Sequence, residues 1–309
     1  MFDPRIQIAG KNFQNPVWTA SGTFAYGAEF EPFLDLNEIG AVVVKGLSIQ
    51  PRAGNAPNRI YETPSGMLNS IGLQNVGMEN FVKEKLPRLK HYRTQVIANI
   101  FGKTEEEYVQ VAAYLSDHAD IAGVELNISC PNVKEGGIEF GSNPELTRRV
   151  VSSVRKKCRL PLYVKLSPNV TDICPIAIAC QDAGADAVTL INTLVAMAID
   201  IERREPVLST IFGGLSGPAI KPIALRMVYQ VARAVKIPVV GIGGISRWQD
   251  AVEFFLAGAT AIQIGTANFY KPTVAKEVLD GLVCYCERKK IPDVAALREA
   301  MKSEKAQTC

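Results

Sequence analysis

The sequence predicts a closed (β/α)8 barrel, a TIM barrel, with an N-terminal hairpin and lid-forming insertions. Three observations lead there. A unit of short apolar run, polar or glycine end and helical stretch recurs eight times in roughly 250 residues. The runs are apolar throughout rather than alternating, as parallel strands covered on both faces require. No glycine fingerprint follows the first run, which counts against the competing open doubly wound sheet.

Ile6-Gln-Ile-Ala-Gly-Lys-Asn-Phe13 alternates around Gly-Lys-Asn and reads as a short hairpin. The strands are then expected at 17–20, 41–45, 96–100, 124–127, 162–166, 187–192, 239–242 and 261–265. Helical periodicity is clear at 105–118 (opened by Thr104), 144–157, 172–183, 222–235, 247–257 and 273–287. Two connections, Gly46 to Gln74 and Leu194 to Pro218, are too long for the plain unit, and such insertions are commonly lids or binding loops. With no linker and no low-complexity tract, residues 1–309 read as one domain. The tail from Cys284-Tyr-Cys286 to Cys309 is expected to be a helix face and then a loose end.

Composition narrows the function. Hydrophobic residues make up 47% and charged residues 21%, and the net charge is +3, too slight for the concentrated basic face of a nucleic-acid binder. Seven cysteines without a Cys-x-x-Cys pair argue against a disulfide framework and against a zinc or iron–sulfur site in this chain; no metal is expected. They suit a reducing cytoplasm. The start has no signal pattern and no apolar run approaches membrane length, so a soluble, cytoplasmic protein is expected.

In such a barrel, chemistry gathers at the C-terminal strand ends. In order these carry Ser21-Gly22, Lys45-Gly46, Asn99, Asn127, Lys165, Asn192-Thr193, Gly243-Gly244 and Gly265-Thr266. A capping serine, a snorkelling lysine or a turn glycine explains any one of them; the whole register is harder to dismiss. Gly241-Ile-Gly-Gly-Ile-Ser246 and Gly265-Thr266 sit where barrels hold a phosphate, because glycines let backbone N–H groups approach an anion. Gly213-Gly-Leu-Ser-Gly-Pro218 is a weaker candidate of the same kind. Lys45 and Lys165 close apolar strands, where an unpaired ammonium is costly. They predict an anionic ligand or developing negative charge, since no carboxylate is evident at neighbouring strand ends to make them buried salt bridges. Asn69, Asn75, Asn127, Asn132 and Asn192 each offer donor and acceptor together, matching a cyclic ureide or imide; some are equally good turn formers.

The densest stretch is Val124-Glu-Leu-Asn-Ile-Ser-Cys-Pro-Asn-Val-Lys-Glu-Gly-Gly137. Proline holds Cys130 away from helical geometry, so the thiol stands at the mouth of a stiff loop, and Gly136-Gly137 lets that loop bend. A thiol, flanking amides and a glycine pair look like an active site under a lid. A structural cysteine beside an Asx turn is the alternative for Cys-Pro alone.

Asn127-Ile-Ser-Cys-Pro-Asn132, Asn69-Ser-Ile-Gly-Leu-Gln-Asn75, Gly214-Leu-Ser-Gly-Pro-Ala-Ile-Lys-Pro222 and Gly241-Ile-Gly-Gly244 together resemble the signatures of the dihydroorotate dehydrogenase family, in order and over nearly the whole chain. The resemblance implies an FMN-containing barrel, one FMN per chain, that oxidises dihydroorotate to orotate in pyrimidine synthesis. A cysteine base marks the soluble class 1. Val133-Lys-Glu-Gly-Gly137 and Pro51-Arg-Ala-Gly-Asn-Ala-Pro57 look like its NAD-linked subtype. That subtype implies a partner electron-transfer subunit with FAD and a [2Fe-2S] cluster, in a heterotetramer built on a homodimer of this chain.

By the same resemblance Cys130 is the base, with Lys45 and Lys165 stabilising charge. FMN is expected against Ser21, Lys45, Gly46, Asn99, Asn127, Lys165, Ile191, Gly217, Gly243, Gly244, Gly265 and Thr266. The substrate is expected against Lys45, Asn69, Ser70, Ile71, Gly72, Leu73, Asn127, Asn132, Asn192 and Thr193. The segment 196–208 carries more charge than the family pattern, which leaves the shape of that lid edge open. The rival readings are a dihydropyrimidine dehydrogenase-like flavoenzyme, an RNA-directed dihydrouridine synthase, and a catalytically silent phosphate-binding barrel.

Overall fold

The computed structural model describes residues 1–129, 134–135 and 138–302. Eight parallel strands close into a barrel. They are β1 (Val17–Thr19), β2 (Ala41–Val43), β3 (Gln95–Ile100), β4 (Gly123–Asn127), β5 (Leu162–Lys165), β6 (Ala187–Leu190), β7 (Val239–Ile242) and β8 (Ala261–Ile264). Each lies within an expected run or overlaps it to a residue. Closure comes from β8 pairing β1, Ile262↔Val17 through Ile264↔Thr19. The fold is the expected (β/α)8 barrel.

Alternation along the strands sends every second side chain inward, and the stagger between neighbours sorts these into layers from alternate strands. At the bottom lie Ala41, Gly123, Ala187 and Ala261, then Trp18, Ile97, Tyr163 and Val240. These are small residues under large ones. A Cβ on Gly123 would sit 2.6 Å from Cε2 of Tyr163, so the glycine makes room for the ring. The layers above turn polar: Val43, Glu125, Thr189 and Gln263, then Ala20, Asn99, Lys165 and Ile242, then Lys45, Asn127, Ile191 and Gly265. Outward-facing residues such as Val42, Val124, Val188 and Ile262 join the main core against the helices.

The hairpin Ile6–Ile8 and Lys11–Phe13 stoppers the bottom, with Ile8 and Phe13 packed against Trp18. The two aromatic rings are 4.5 Å apart. The turn is Ala9-Gly10, both at positive φ, rather than Gly-Lys-Asn. Two-residue turns of that twist match the twist of the strands they join.

The helices run Glu105–Leu115, Pro144–Lys157, Cys174–Asp182, Lys221–Ala234, Trp248–Leu256 and Val274–Lys289. Thr104 and Asn143 cap the first two through backbone N–H groups. Helical structure from Met78 to Leu89 is absent from the sequence reading. A π-helical turn at Phe81–Lys85 shifts the buried face from Met78 and Phe81 to Leu86 and Leu89, and breaks the 3.6 period. In the tail, Cys286 is buried on its helix face and Cys284 exposed. A further helix follows at Val294–Glu299, capped by Asp293. Cys309 lies outside the described residues.

The two long insertions are one structure. Ile60–Thr63 and Gly66–Asn69 form a hairpin, Gly213–Ser216 pairs with its second strand, and Leu194–Ala196 pairs with Gly213–Leu215. The charged segment forms a small hairpin, Ile199–Asp200 against Glu205–Pro206.

Candidate active site

A cavity of about 950 Å³ opens at the C-terminal strand ends. Its lining includes Ser21, Lys45, Gly46, Asn99, Asn127, Lys165, Ile191, Gly217, Gly243, Gly244, Gly265 and Thr266, and also Asn69, Ser70, Ile71, Gly72, Leu73, Asn192 and Thr193. Thus every expected site residue that the structure describes is brought to one place. Cys130 and Asn132, with Gly136 and Gly137, lie outside the described residues. Asn127 and Ser129, the last described residues before them, line the cavity.

The walls differ around the ring. On the arc after β7 and β8, recognition falls to the backbone. Gly243 and Gly244 have φ of 127° and 73°, a region open to glycine. A Cβ on Gly244 would lie 2.7 Å from Cβ of Lys221 and 2.9 Å from the carbonyl oxygen of Gly217. The missing Cβ atoms therefore let this loop pack directly against Gly217 and Lys221, and what the two glycines add to the cavity wall is backbone, a surface of the kind that receives an anion. Gly213–Ser216, four of the six residues of the weaker anion-loop candidate, is instead a lid strand, and its remaining glycine, Gly217, lies beside Gly244. Thr266 Oγ1 donates to Ser216 Oγ at 2.8 Å, joining the β8 end to that strand.

On the arc after β2 to β6, side chains do the work. Asn127 Oδ1 accepts from Ser129 Oγ at 2.7 Å, Ser129 N at 3.3 Å and Asn192 Nδ2 at 3.3 Å. Its oxygen is saturated, which leaves the amide N–H groups to meet a ligand acceptor. Asn192 also donates to Ser129 Oγ, and its own oxygen takes the N–H of Thr193. Asn69 is the converse: its Nδ2 donates to Gly214 O at 3.2 Å, leaving an oxygen for a ligand N–H. Asn75, grouped with these in the sequence, is absent from the lining. Its oxygen accepts from Ser48 N and Gly77 N, and its nitrogen donates to Ser48 Oγ and Leu73 O. It is a buried turn former.

One expectation is corrected. Lys165 does have a carboxylate: its Nζ lies 3.8 Å from Oε1 of Glu125, both side chains being almost wholly buried. Glu125 also accepts from Asn99 Nδ2 at 2.6 Å and Gln263 Nε2 at 2.8 Å. The partner sits within β4, two residues below the strand end where it was sought. Lys165 further contacts Ser21 Oγ at 3.4 Å.

Lys45 is different. Among the described residues its ammonium has neither an ion pair nor a hydrogen bond, and burial, then the charge of Arg59, pushes its pKa down. An unpaired, half-buried cation beside the cavity is a receptor for negative charge.

Arg52, Asn55, Arg59, Ser129 and Asn169 also line the cavity and were not foreseen. Arg59 Nη1 donates to Gln74 Oε1 at 2.8 Å. Asn169 donates to Thr193 O and accepts from Val195 N, tying the end of β5 to the lid. Glu125 was within reach of sequence reasoning, because period two places it on the same inward face as Asn127.

A family model described as dihydroorotate dehydrogenase matches residues 5–285. The chain is 57% identical over 299 residues to the dihydroorotate dehydrogenase B (NAD(+)), catalytic subunit, of Geotalea uraniireducens, which covers 97% of this chain and 98% of that protein. It is 55% identical over 296 residues to the protein of the same name from Trichlorobacter lovleyi, covering 96% and 97%. With that of Geobacter metallireducens the identity is 54% over 299 residues, covering 97% and 98%.

Proposed function

The chain belongs to the dihydroorotate dehydrogenase family, and on that premise we propose that its cavity oxidises dihydroorotate to orotate, a step of pyrimidine synthesis, with one FMN bound to the chain. The electrons pass to NAD through a separate subunit with FAD and a [2Fe-2S] cluster, in a heterotetramer built on a homodimer of this chain. The relatives' names, an NAD(+) enzyme's catalytic subunit, support that division of labour. No helix among the described residues is long and apolar enough to cross a membrane, in keeping with a cytoplasmic enzyme.

The observation that carries this reading is the convergence of a glycine-built anion cradle, two lysines and oriented amides on a single cavity. The residues present fit FMN. Its phosphate suits the backbone at Gly217, Gly243, Gly244 and Gly265, all in the cavity wall, where a Cβ on Gly244 would collide with Lys221 and the Gly217 carbonyl and force the two loops apart. The ring system suits the wall of Ser21, Asn99, Asn127, Lys165 and Ile191. The cavity volume lies within the usual range for such ligands. Bound FMN supplies the two-electron acceptor.

The chain's own groups do the rest. Cys130 removes a proton from ring C5 of dihydroorotate. Lys45 and the backbone of Ser70, Ile71, Gly72 and Leu73 hold the substrate carboxylate, with Lys45 stabilising charge that develops on the ring. Asn127 donates to a ring carbonyl, Asn69 accepts from a ring N–H, and Asn192 with Thr193 keeps Asn127 oriented. Asn132 holds the remaining edge. A free thiol has a pKa of about 8.5, so turnover rises with pH as Cys130 ionises.

The test is anaerobic bleaching of the flavin band. Dihydroorotate should bleach the wild-type protein and dihydrouracil should not, because the latter lacks the carboxylate for Lys45. Cys130→Ala should keep the flavin spectrum and slow bleaching by about 10²–10⁴-fold. Equal bleaching by both substrates, or undiminished turnover in Cys130→Ala, overturns the assignment.

A further inference from the structure

The anion cradle is made of two loops from different strand ends, and a single carboxylate joins them. The first loop runs through Gly217 into Lys221, which opens the helix Lys221–Ala234. The second runs from β7 through Gly243 and Gly244 to Ser246 and Arg247. The loops meet where Gly244 packs on Lys221 and the carbonyl of Gly217.

Behind that contact lies Asp250, 2% exposed. Its Oδ2 accepts from Ser246 N at 2.9 Å, Ser246 Oγ at 3.1 Å and Arg247 N at 2.9 Å. Its Oδ1 accepts from Lys221 Nζ at 2.8 Å, and the same ammonium reaches Glu253 Oε1 at 3.1 Å. One oxygen thus holds the second loop and the other holds the first. An ordinary helix cap explains the Arg247 bond alone. It does not explain why a lysine from a different loop shares the carboxylate. Nor is Lys221 aimed at the cradle, since its ammonium is committed to two acidic groups. Burial works against both charges, yet these bonds hold the Asp250 carboxyl below its ordinary pKa and the Lys221 ammonium above its own.

We propose that Asp250, acting through Lys221, is a positioning residue that sets the spacing of the two glycine loops and thereby the preference of this site for a phosphorylated flavin over its dephosphorylated form. The inference rests on the FMN reading above. The phosphate is met by backbone N–H groups, whose aim depends on the relative placement of the loops. No residue of the proposed ring wall is bonded to Asp250 or to the Lys221 ammonium.

The experiment compares FMN and riboflavin affinity by fluorescence quenching in the flavin-stripped full chain. Asp250→Asn replaces one acceptor by a donor that faces N–H groups, so one of the two attachments is lost. FMN affinity should fall about tenfold or more, while riboflavin affinity stays within about twofold. Lys221→Gln, at a position less buried than Asp250 (22% against 3% side-chain exposure), should do the same and serves if Asp250→Asn fails to fold. Lys221→Arg should restore much of the preference. Equal losses for both flavins, or an unchanged ratio in the variants, overturn the clamp. A wild-type chain that binds neither flavin overturns the FMN reading instead.

Discussion

Two lysines stand in adjacent inner layers of the barrel wall, and they have opposite relations to the protein around them. Lys165 faces a buried carboxylate, Glu125, itself held by Asn99 and Gln263. Lys45 has no such partner among the described residues, and its environment works against its charge. The first cation is tied into the architecture. The second has no such tie, and the ligand proposed above is what would give it one. A charge that the fold does not need is the clearer mark of function, because nothing among the described residues compensates its desolvation.

This contrast can be broken most forcefully at Lys165. Lys165→Met leaves Glu125 a buried carboxylate without its cation, and unfolding by urea should show a loss of about 3 kcal/mol. Adding Glu125→Gln should recover part of it, with a coupling of about 1–3 kcal/mol. Additive effects would mean that the 3.8 Å pair is incidental.

Lys45→Met should move the other way. In the ligand-free protein it removes an uncompensated cation, and the same denaturation should show a gain of about 1 kcal/mol, while orotate binding measured by calorimetry is lost. A destabilised Lys45→Met would erase the distinction.

The smallest effect is on pH dependence. Because the folded pKa of Lys45 lies below its ordinary 10.5, the unfolded chain binds more protons between the two values. Stability of the ligand-free protein therefore rises with pH across that window. Orotate affinity falls across the same window as the ammonium is lost. Both trends should flatten in Lys45→Met, and a wild-type stability that drops with pH there would reverse the assignment.

The lysines also mark how far the sequence could be read. Strand ends follow from position in a repeated unit, so Lys45, Asn99, Asn127, Lys165 and the glycines after β7 and β8 were all visible. What lay hidden depends on contact between distant segments. Glu125 looks like one polar residue in a strand until β5 is laid beside β4. Asp250 looks like a helix cap until Lys221 arrives from another loop. The lid was legible as two long insertions but not as one sheet, since strands of three or four residues have too little periodicity to announce a partner. The helix at Met78–Leu89 escaped for a different reason, its π-helical turn having scrambled the apolar spacing.

That shared sheet bears on how the molecule is born. The strand Gly66–Asn69 waits for Gly213–Ser216, and the bond from Asn69 to Gly214 spans 145 residues. A ribosome adding about 5–20 residues per second needs roughly 7–30 s to deliver the missing neighbour. During that interval the emerging polypeptide displays a naked strand edge next to unfinished wall, the kind of surface that chaperones shield and that sticks to its own kind. Completing the roof is thus a late event in biosynthesis, and a chain cut short before residue 213 can never acquire it.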